Sequence, residues 1–245
     1  MATSQFLIPT QHRNFGANEK ALKIRMKSVN SIKKITKAMK MVATSKMKGD
    51  LRRLAAGKEF GVGSLDTLFE SDTYMKERQP PVGQGVELLV PISSDKGMCG
   101  SLNSGIVRDL RDYVSKADRS KVAIMSIGDK GTVGCRRPMK DLLRVGISEV
   151  STPYNFPTAM ALGQNIVNMS EEVEADRITV FYNEFVSAIK TNIIHLELMT
   201  RQRFIASFRP MFLYNMNKPS GVPALYDLYV SSNLWVCLLN NAASE

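Results

Sequence analysis

Histidine and cysteine are scarce in this 245-residue chain, and their scarcity removes whole classes of chemistry. The two histidines, His12 and His195, lie far apart with no ligand partners at metal spacing, so a metal site is not indicated. The three cysteines, Cys99, Cys135 and Cys237, are odd in number, widely spaced and in no C-x-x-C pair. That pattern suggests neither a disulfide framework nor a zinc site and suits a reducing compartment. No apolar run approaches the roughly 20 residues that a spanning helix needs. A G-x-S-x-G elbow and a G-K-S/T phosphate-loop ending are both missing, and too few histidines remain to build a triad freely. Paired carboxylates stay open because Asp and Glu are spread along the chain, but no organised catalytic group is visible and no cofactor is expected.

Acid is the other scarcity, and it is local. Between Lys20 and Lys58 stand 13 Lys or Arg against the single acid Asp50, a charge of +12, while the rest holds 20 bases and 22 acids. The net charge of +10 therefore belongs to one segment, which calls for an acidic partner. Ten of its 13 cations are Lys, and no aromatic residue occurs from Asn18 until Phe60. Forks for reading guanine and rings for stacking on bases are thus lacking, which disfavours base-specific recognition. A membrane-surface helix would carry Trp, Phe or Leu on its apolar face, where this one carries mostly Ile, Val and Met in a narrow seam. A solvated lysine face without a partner is the bland alternative; it leaves the one-sided charge unexplained, because surface helices ordinarily mix charges to avoid self-repulsion.

The organisation follows from pattern. Residues 1–17 hold Arg13 just before Asn14-Phe15-Gly16-Ala17 and read either as the end of a mitochondrial targeting peptide or as a ragged terminus. Residues 18–60 read as one helix, with Asn18 as N-cap and Glu19 in the first turn. Leu22, Met26, Val29, Ile32, Ile35, Met39 and Val42 recur in steps of three or four along one stripe, beside Lys33, Lys37 and Lys40. Such a helix would be about 64 Å long and must protrude from a small domain. Gly49, Gly57 and Gly61 mark its expected bend or end. Residues 70–84 read as a linker.

Residues 61–223 contain the α/β domain. Strands are expected at 86–92, 121–127, 177–185 and about 193–200, with helices at 103–116 and 157–174. Strand, helix, strand in that order implies a parallel pair and a small doubly wound, Rossmann-like sheet. Pro210, Pro219, Gly221 and Pro223 mark an exit loop, and Ala224 opens a last helix over 224–245. Leu225, Leu228, Ser232, Trp235, Leu239 and Ala242 follow heptad steps on it, so it is either a coiled-coil partner for the N-terminal stripe or a core helix of the domain. The loop 95–100 follows a strand and opens a helix, where a phosphate could sit, with Asp129 as a weak ribose contact. With only Gly97 and Gly100 present, a tight turn explains it better.

Two motifs carry a resemblance. Ile35-Thr36-Lys37-Ala38-Met39-Lys40-Met41-Val42-Ala43, followed by Lys46-Met47, closely resembles the N-terminal helix of the gamma subunit of F-type ATP synthase. Ser93-Ser94-Asp95-Lys96-Gly97-Met98-Cys99-Gly100-Ser101-Leu102-Asn103 is similar to the loop after the first sheet strand of that family, in the same order along the chain.

The resemblance implies a non-catalytic rotor subunit that couples proton-driven rotation to ATP synthesis on beta subunits. Its terminal helices would wind into an antiparallel coiled coil inside a ring of alpha and beta subunits, with the α/β domain below. It implies contacts with an acidic lever of beta, with the delta and epsilon stalk subunits and with the c-ring, peripheral to the mitochondrial inner membrane on its matrix side. Lys33, Lys37, Met39, Lys40, Lys96 and Cys99 are the partner contacts it suggests. The regulatory cysteine pair of plastid members is missing around Cys135, and the family's C-terminal helix runs on past a segment like 240–245, so the chain is expected to stop short of the natural protein. A Lys-rich scaffold or nonspecific nucleic-acid binder is the alternative, and a nucleotide-dependent enzyme using Gly97 and Gly100 comes third.

Overall fold

The computed structural model describes residues 15–63, 85–97, 99–207 and 218–245. Most of the targeting remnant or ragged terminus expected at 1–17, the linker expected at 70–84, Pro210 and Met98 lie outside the described residues. By internal packing the chain divides into Met1–Lys48 and Gly49–Glu245.

Helix α1 (Phe15–Lys58) accounts for all that is described of the first unit and enters the second. Asn18 lies inside this helix, which begins at Phe15, rather than capping it. Glu19 instead pairs with Lys23 one turn on, at 2.7 Å. Leu22, Met26, Val29, Ile32, Ile35, Met39 and Val42 are all exposed. The helix ends at Lys58 in a wide π-type turn, Glu59–Gly63.

The second unit is built on β1 (Val86–Pro91), α2 (Leu102–Lys116), β2 (Val122–Ile127), α3 (Asp129–Arg136), β3 (Leu143–Ile147), α4 (Phe156–Glu172), β4 (Ala175–Ser187), β5 (Lys190–Leu198), α5 (Arg201–Ser207) and α6 (Lys218–Ser244). The sheet order is β3-β2-β1-β4-β5. The first four strands run parallel, and β5 runs antiparallel to β4. The expected parallel, Rossmann-like core is present, and the antiparallel edge strand β5 makes the sheet mixed. Only Ala188 and Ile189 separate β4 from β5, and a parallel return needs a crossover of a dozen residues or more.

Alternation along the central strands divides the core into two layers. Leu88 and Val90 face Ile166, Tyr226, Val230 and Leu234 of α4 and α6, whereas Leu89 faces Ile106, Leu110 and Cys135 of α2 and α3. Because β1 is covered on both sides, it reads as a near-continuous apolar run, interrupted by Glu87 alone. Burying each such side chain contributes about 1.5–3 kcal/mol.

Helix α6 begins at Lys218, six residues before Ala224, and so contains Pro219, Gly221 and Pro223. Proline is tolerated in a first turn, where its missing N–H would have no partner; Pro223 removes one backbone bond further in. Burial of the helix offsets that loss. The span Gly221–Ser244 is long and apolar enough to cross a membrane, contrary to the sequence reading, but half of its most apolar stretch is buried in the domain.

The last helix is a core helix of the domain that also meets the end of α1, whereas the stripe from Leu22 to Val42, its other expected partner, is exposed. Tyr226, Val230, Leu234, Cys237 and Leu238 join the sheet core, while Leu239, Ala243 and Trp235 pack with Leu51 and Leu54 from the end of α1. A side chain at Gly57 would meet Leu239, and one at Gly61 would meet Val236 and Ser232, so the two helices run antiparallel in close approach. Phe60 closes this contact edge-on against Trp235 and Phe156, with ring centroids 6.0 and 5.7 Å away.

Candidate partner-binding surfaces

Two groups of residues singled out by sequence lie in different units. On α1, Lys33, Lys37 and Lys40 fall within about 60° of one another around the helix axis, given 3.6 residues per turn. All three are exposed and make no ion pair among the described residues. Met39 is 60% exposed. The hydroxyls beside them are already satisfied: Thr36 donates to the Ile32 carbonyl at 2.9 Å and Thr44 to that of Lys40 at 2.8 Å. What this stretch offers a partner is therefore unpaired positive charge next to bare aliphatic surface.

Lys96 and Cys99 stand in the second unit, on the loop leaving β1. That loop is fastened from several directions. Ser93 Oγ donates to the Ile127 carbonyl at 3.1 Å and accepts from the Gly131 N–H at 2.8 Å. The Ser94 N–H donates to Asn103 Oδ1 at 2.8 Å, and the Lys96 N–H to Ser94 Oγ at 3.0 Å. The two Asp95 carboxylate oxygens accept from the backbone N–H of Asp129 at 2.7 Å and of Val150 at 3.0 Å. Asp95 thereby caps the first turn of α3 from outside that helix, a role that a lone Asp in a loop does not announce in sequence.

The strand order reverses between β1 and β4, the switch point where a doubly wound sheet ordinarily takes a ligand. Here the last turns of α6 occupy it. Asn183 Nδ2 donates to Asn241 Oδ1 at 3.0 Å, the Phe185 N–H donates to Asn240 Oδ1 at 3.4 Å, and Lys96 Nζ lies 3.5 Å from Glu245 Oε2. The Asp129 carboxylate, the weak ribose candidate, pairs with its neighbour Lys130 at 2.8 Å. The loop is thus a brace between sheet, α3 and α6 rather than an open phosphate cradle.

The three thiols differ in environment. Cys99 is half-buried with its Sγ 3.4 Å from the Gly97 carbonyl oxygen, while Cys135 is fully buried and burial pushes its thiol up to about 11. Cys237 is buried and pushed up by the same cause. A thiolate is the reacting form, so near pH 8 iodoacetamide is expected to label Cys99 at least on the order of 100-fold faster than the other two. Peptide mass spectrometry of the native chain checks this; comparable labelling of Cys135 would contradict the packing described.

One polar cluster was not visible in sequence. Glu87 is buried and its carboxylate accepts from Tyr113 Oη at 2.8 Å, Thr179 Oγ1 at 2.7 Å and Arg177 Nη2 at 3.0 Å. Burial, then the bond to Glu87, pushes the Tyr113 phenol up. Glu87, Tyr113 and Arg177 line a cavity of about 290 Å³ together with Asp109 and His195, themselves in contact. Among the described residues no group of His, Cys, Asp and Glu is arranged to hold a metal.

Known proteins supply the remaining comparison. The ATP synthase family profile matches residues 18–245. The ATP synthase gamma chain of Pelagibacter ubique is 30% identical over 238 residues, covering 91% of this chain and 81% of that protein. That of Rhizobium rhizogenes is 31% identical over 243 residues, covering 92% and 82%. The central stalk and c-ring structure of Tetrahymena thermophila mitochondrial ATP synthase contains a chain that is similar at a TM-score of 0.76 and 37% identity, covering 86% of this chain and 93% of that one. A rotor chain of the Euglena gracilis mitochondrial enzyme shares the fold, with a TM-score of 0.67 at 17% identity, covering 94% and 87%. With more than four-fifths of each gamma chain spanned by matching sequence, this protein belongs to the ATP synthase gamma-chain family and is a non-catalytic subunit of the central-stalk rotor.

Proposed function

We propose that this rotor subunit meets its catalytic ring through two surfaces: the α1 face bearing Lys33, Lys37, Met39 and Lys40, and the loop bearing Lys96 and Cys99. The counter-charge is an acidic lever on a beta subunit. The observation that carries this reading is that Lys33, Lys37 and Lys40 are exposed and make no ion pair among the described residues, in a segment with 13 bases and one acid. Like charges at that density destabilise a free helix and are relieved by an anionic partner. In this reading residues 18–60 form the shaft, 61–223 the foot domain and 224–245 the returning helix, with 1–17 a targeting remnant. The ring consists of alpha and beta subunits, the foot meets delta, epsilon and the c-ring, and the whole sits peripherally on the matrix side of the mitochondrial inner membrane. An asymmetric shaft presents a different face to each beta subunit as it turns, so unequal contacts become unequal site affinities.

The decisive variant is Lys37→Glu with Lys40→Glu. Two attractive contacts become repulsive, a change on the order of 2 kcal/mol, while the α/β domain stays folded. Protons pumped per ATP hydrolysed in reconstituted membranes are expected to fall by about half or more for a contact of that size. An unchanged ratio removes the proposed contact. The free chain is also expected to neither hydrolyse nor tightly bind ATP, because its sequence has no phosphate loop; isothermal titration with nucleotide checks this, and saturable tight binding would revive the enzyme reading.

A further inference from the structure

Strand β3 is an outer strand of the sheet and, among the described residues, pairs with β2 alone. Its middle residues Arg144, Val145 and Gly146 are exposed. Four exposed cations gather along this part of the chain: Arg136 at the end of α3, Arg137 and Lys140 in the connection, and Arg144 in the strand itself. None of the four makes an ion pair among the described residues, although neighbouring charges do, Lys130 with Asp129 and Arg119 with Asp141, each at 2.8 Å. Exposed Glu149 follows the strand and leaves the balance of free charge positive.

We propose that β3 is a docking edge that takes an extended acidic segment of a neighbouring polypeptide as a sixth strand. An outer strand presents a row of backbone N–H and C=O groups, which a second extended chain pairs directly. Five residues span about 17 Å, enough to hold a similarly short segment. The charge selects the occupant. A second copy of this edge would bring like cations together, whereas Asp and Glu side chains on an incoming strand reach the guanidinium forks of Arg136, Arg137 and Arg144 and the ammonium of Lys140. Anionic lipid or nucleic acid would neutralise the same charges but forms no backbone ladder, so a strand uses more of what the edge offers. This surface belongs to the α/β domain and does not rest on the reading of the α1 lysine face.

Two measurements on the assembled complex and the free full-length chain test it. Backbone amides of 143–147 are expected to exchange roughly tenfold more slowly or less in the complex, as amides newly joined to a ladder do. Zero-length carbodiimide coupling is expected to join Lys140 to an Asp or Glu of another chain, identified by mass spectrometry. Arg136→Glu with Arg137→Glu, both exposed, should leave Trp235 fluorescence native and diminish both signals. Equal exchange in free and assembled chain would overturn the proposal. So would anionic vesicles that reproduce the protection while Lys140 couples only within its own chain.

Discussion

Gly128→Ala is expected to destabilise the α/β domain by about 3–5 kcal/mol, a large share of the roughly 5–15 kcal/mol that holds a domain folded. Gly128 stands just before α3 with φ of 100°, a backbone conformation that side-chain-bearing residues rarely adopt. A Cβ there would lie 2.2 Å from the Ser93 carbonyl oxygen and 2.6 Å from its carbon. Those atoms are backbone at the exit of β1, held by the Ser93 N–H bond to Ile127 O at 2.8 Å, so they cannot swing aside as a flexible side chain would. Gly97→Ala is the control, because nothing lies within 4 Å of its Cβ position. Urea unfolding followed through Trp235, the single tryptophan, measures both. A Gly128→Ala midpoint equal to that of the parent would mean that the contact between Ser93 and Gly128 is not as described.

Asp95→Ala is expected to cost about 2–4 kcal/mol, because it strands two backbone N–H groups, those of Asp129 and Val150, in a half-buried setting. Asp95→Asn should cost less, since it keeps one acceptor oxygen and turns the other into a donor that faces a donor. The functional consequence is local. With the brace released, Cys99 should alkylate faster and the amides of Asp129 and Val150 should lose protection, while Leu88 and Leu89 at the core of β1 stay slow to exchange. If Cys99 reactivity is unchanged in a folded Asp95→Ala chain, the carboxylate is not what holds the loop. If Lys96 is the partner contact proposed above, loosened coupling in the assembled enzyme would accompany faster Cys99 labelling.

Much of this fold was legible because its elements carry their own signals. The strands β1 and β2 are largely apolar runs, α4 opens on Asn155 with Pro157 in its first turn, and α1 has no proline to stop it. Where local signal was weak, the reading failed. Strand β3 is five residues, Leu143 to Ile147, with Arg and Gly inside, and α3 is an eight-residue helix containing two glycines, so neither stood out. The turn of the β4–β5 hairpin is Ala188-Ile189, without the Gly or Asn that marks a tight turn, so both strands were expected but their antiparallel pairing was not. Heptad steps on α6 left a helix partner and a core helix both open and did not single out Tyr226, Val230 and Leu234, whose face stays hidden until the sheet supplies its other side.

The sequence by itself determined the long basic helix, the α/β character of the domain and the family, because these rest on charge, periodicity and motif order, all of which are properties of neighbouring residues. It also marked Ser93 to Gly100 as special. Only the tertiary structure decided what that loop does. Asp95 meets Asp129 and Val150, 34 and 55 residues away, and Lys96 meets Glu245, 149 residues away. Glu87 likewise finds its donors on α2 and β4. Such pairings depend on strand order and on which face of a helix turns inward, and both are settled by burying the whole core at once rather than by any segment alone.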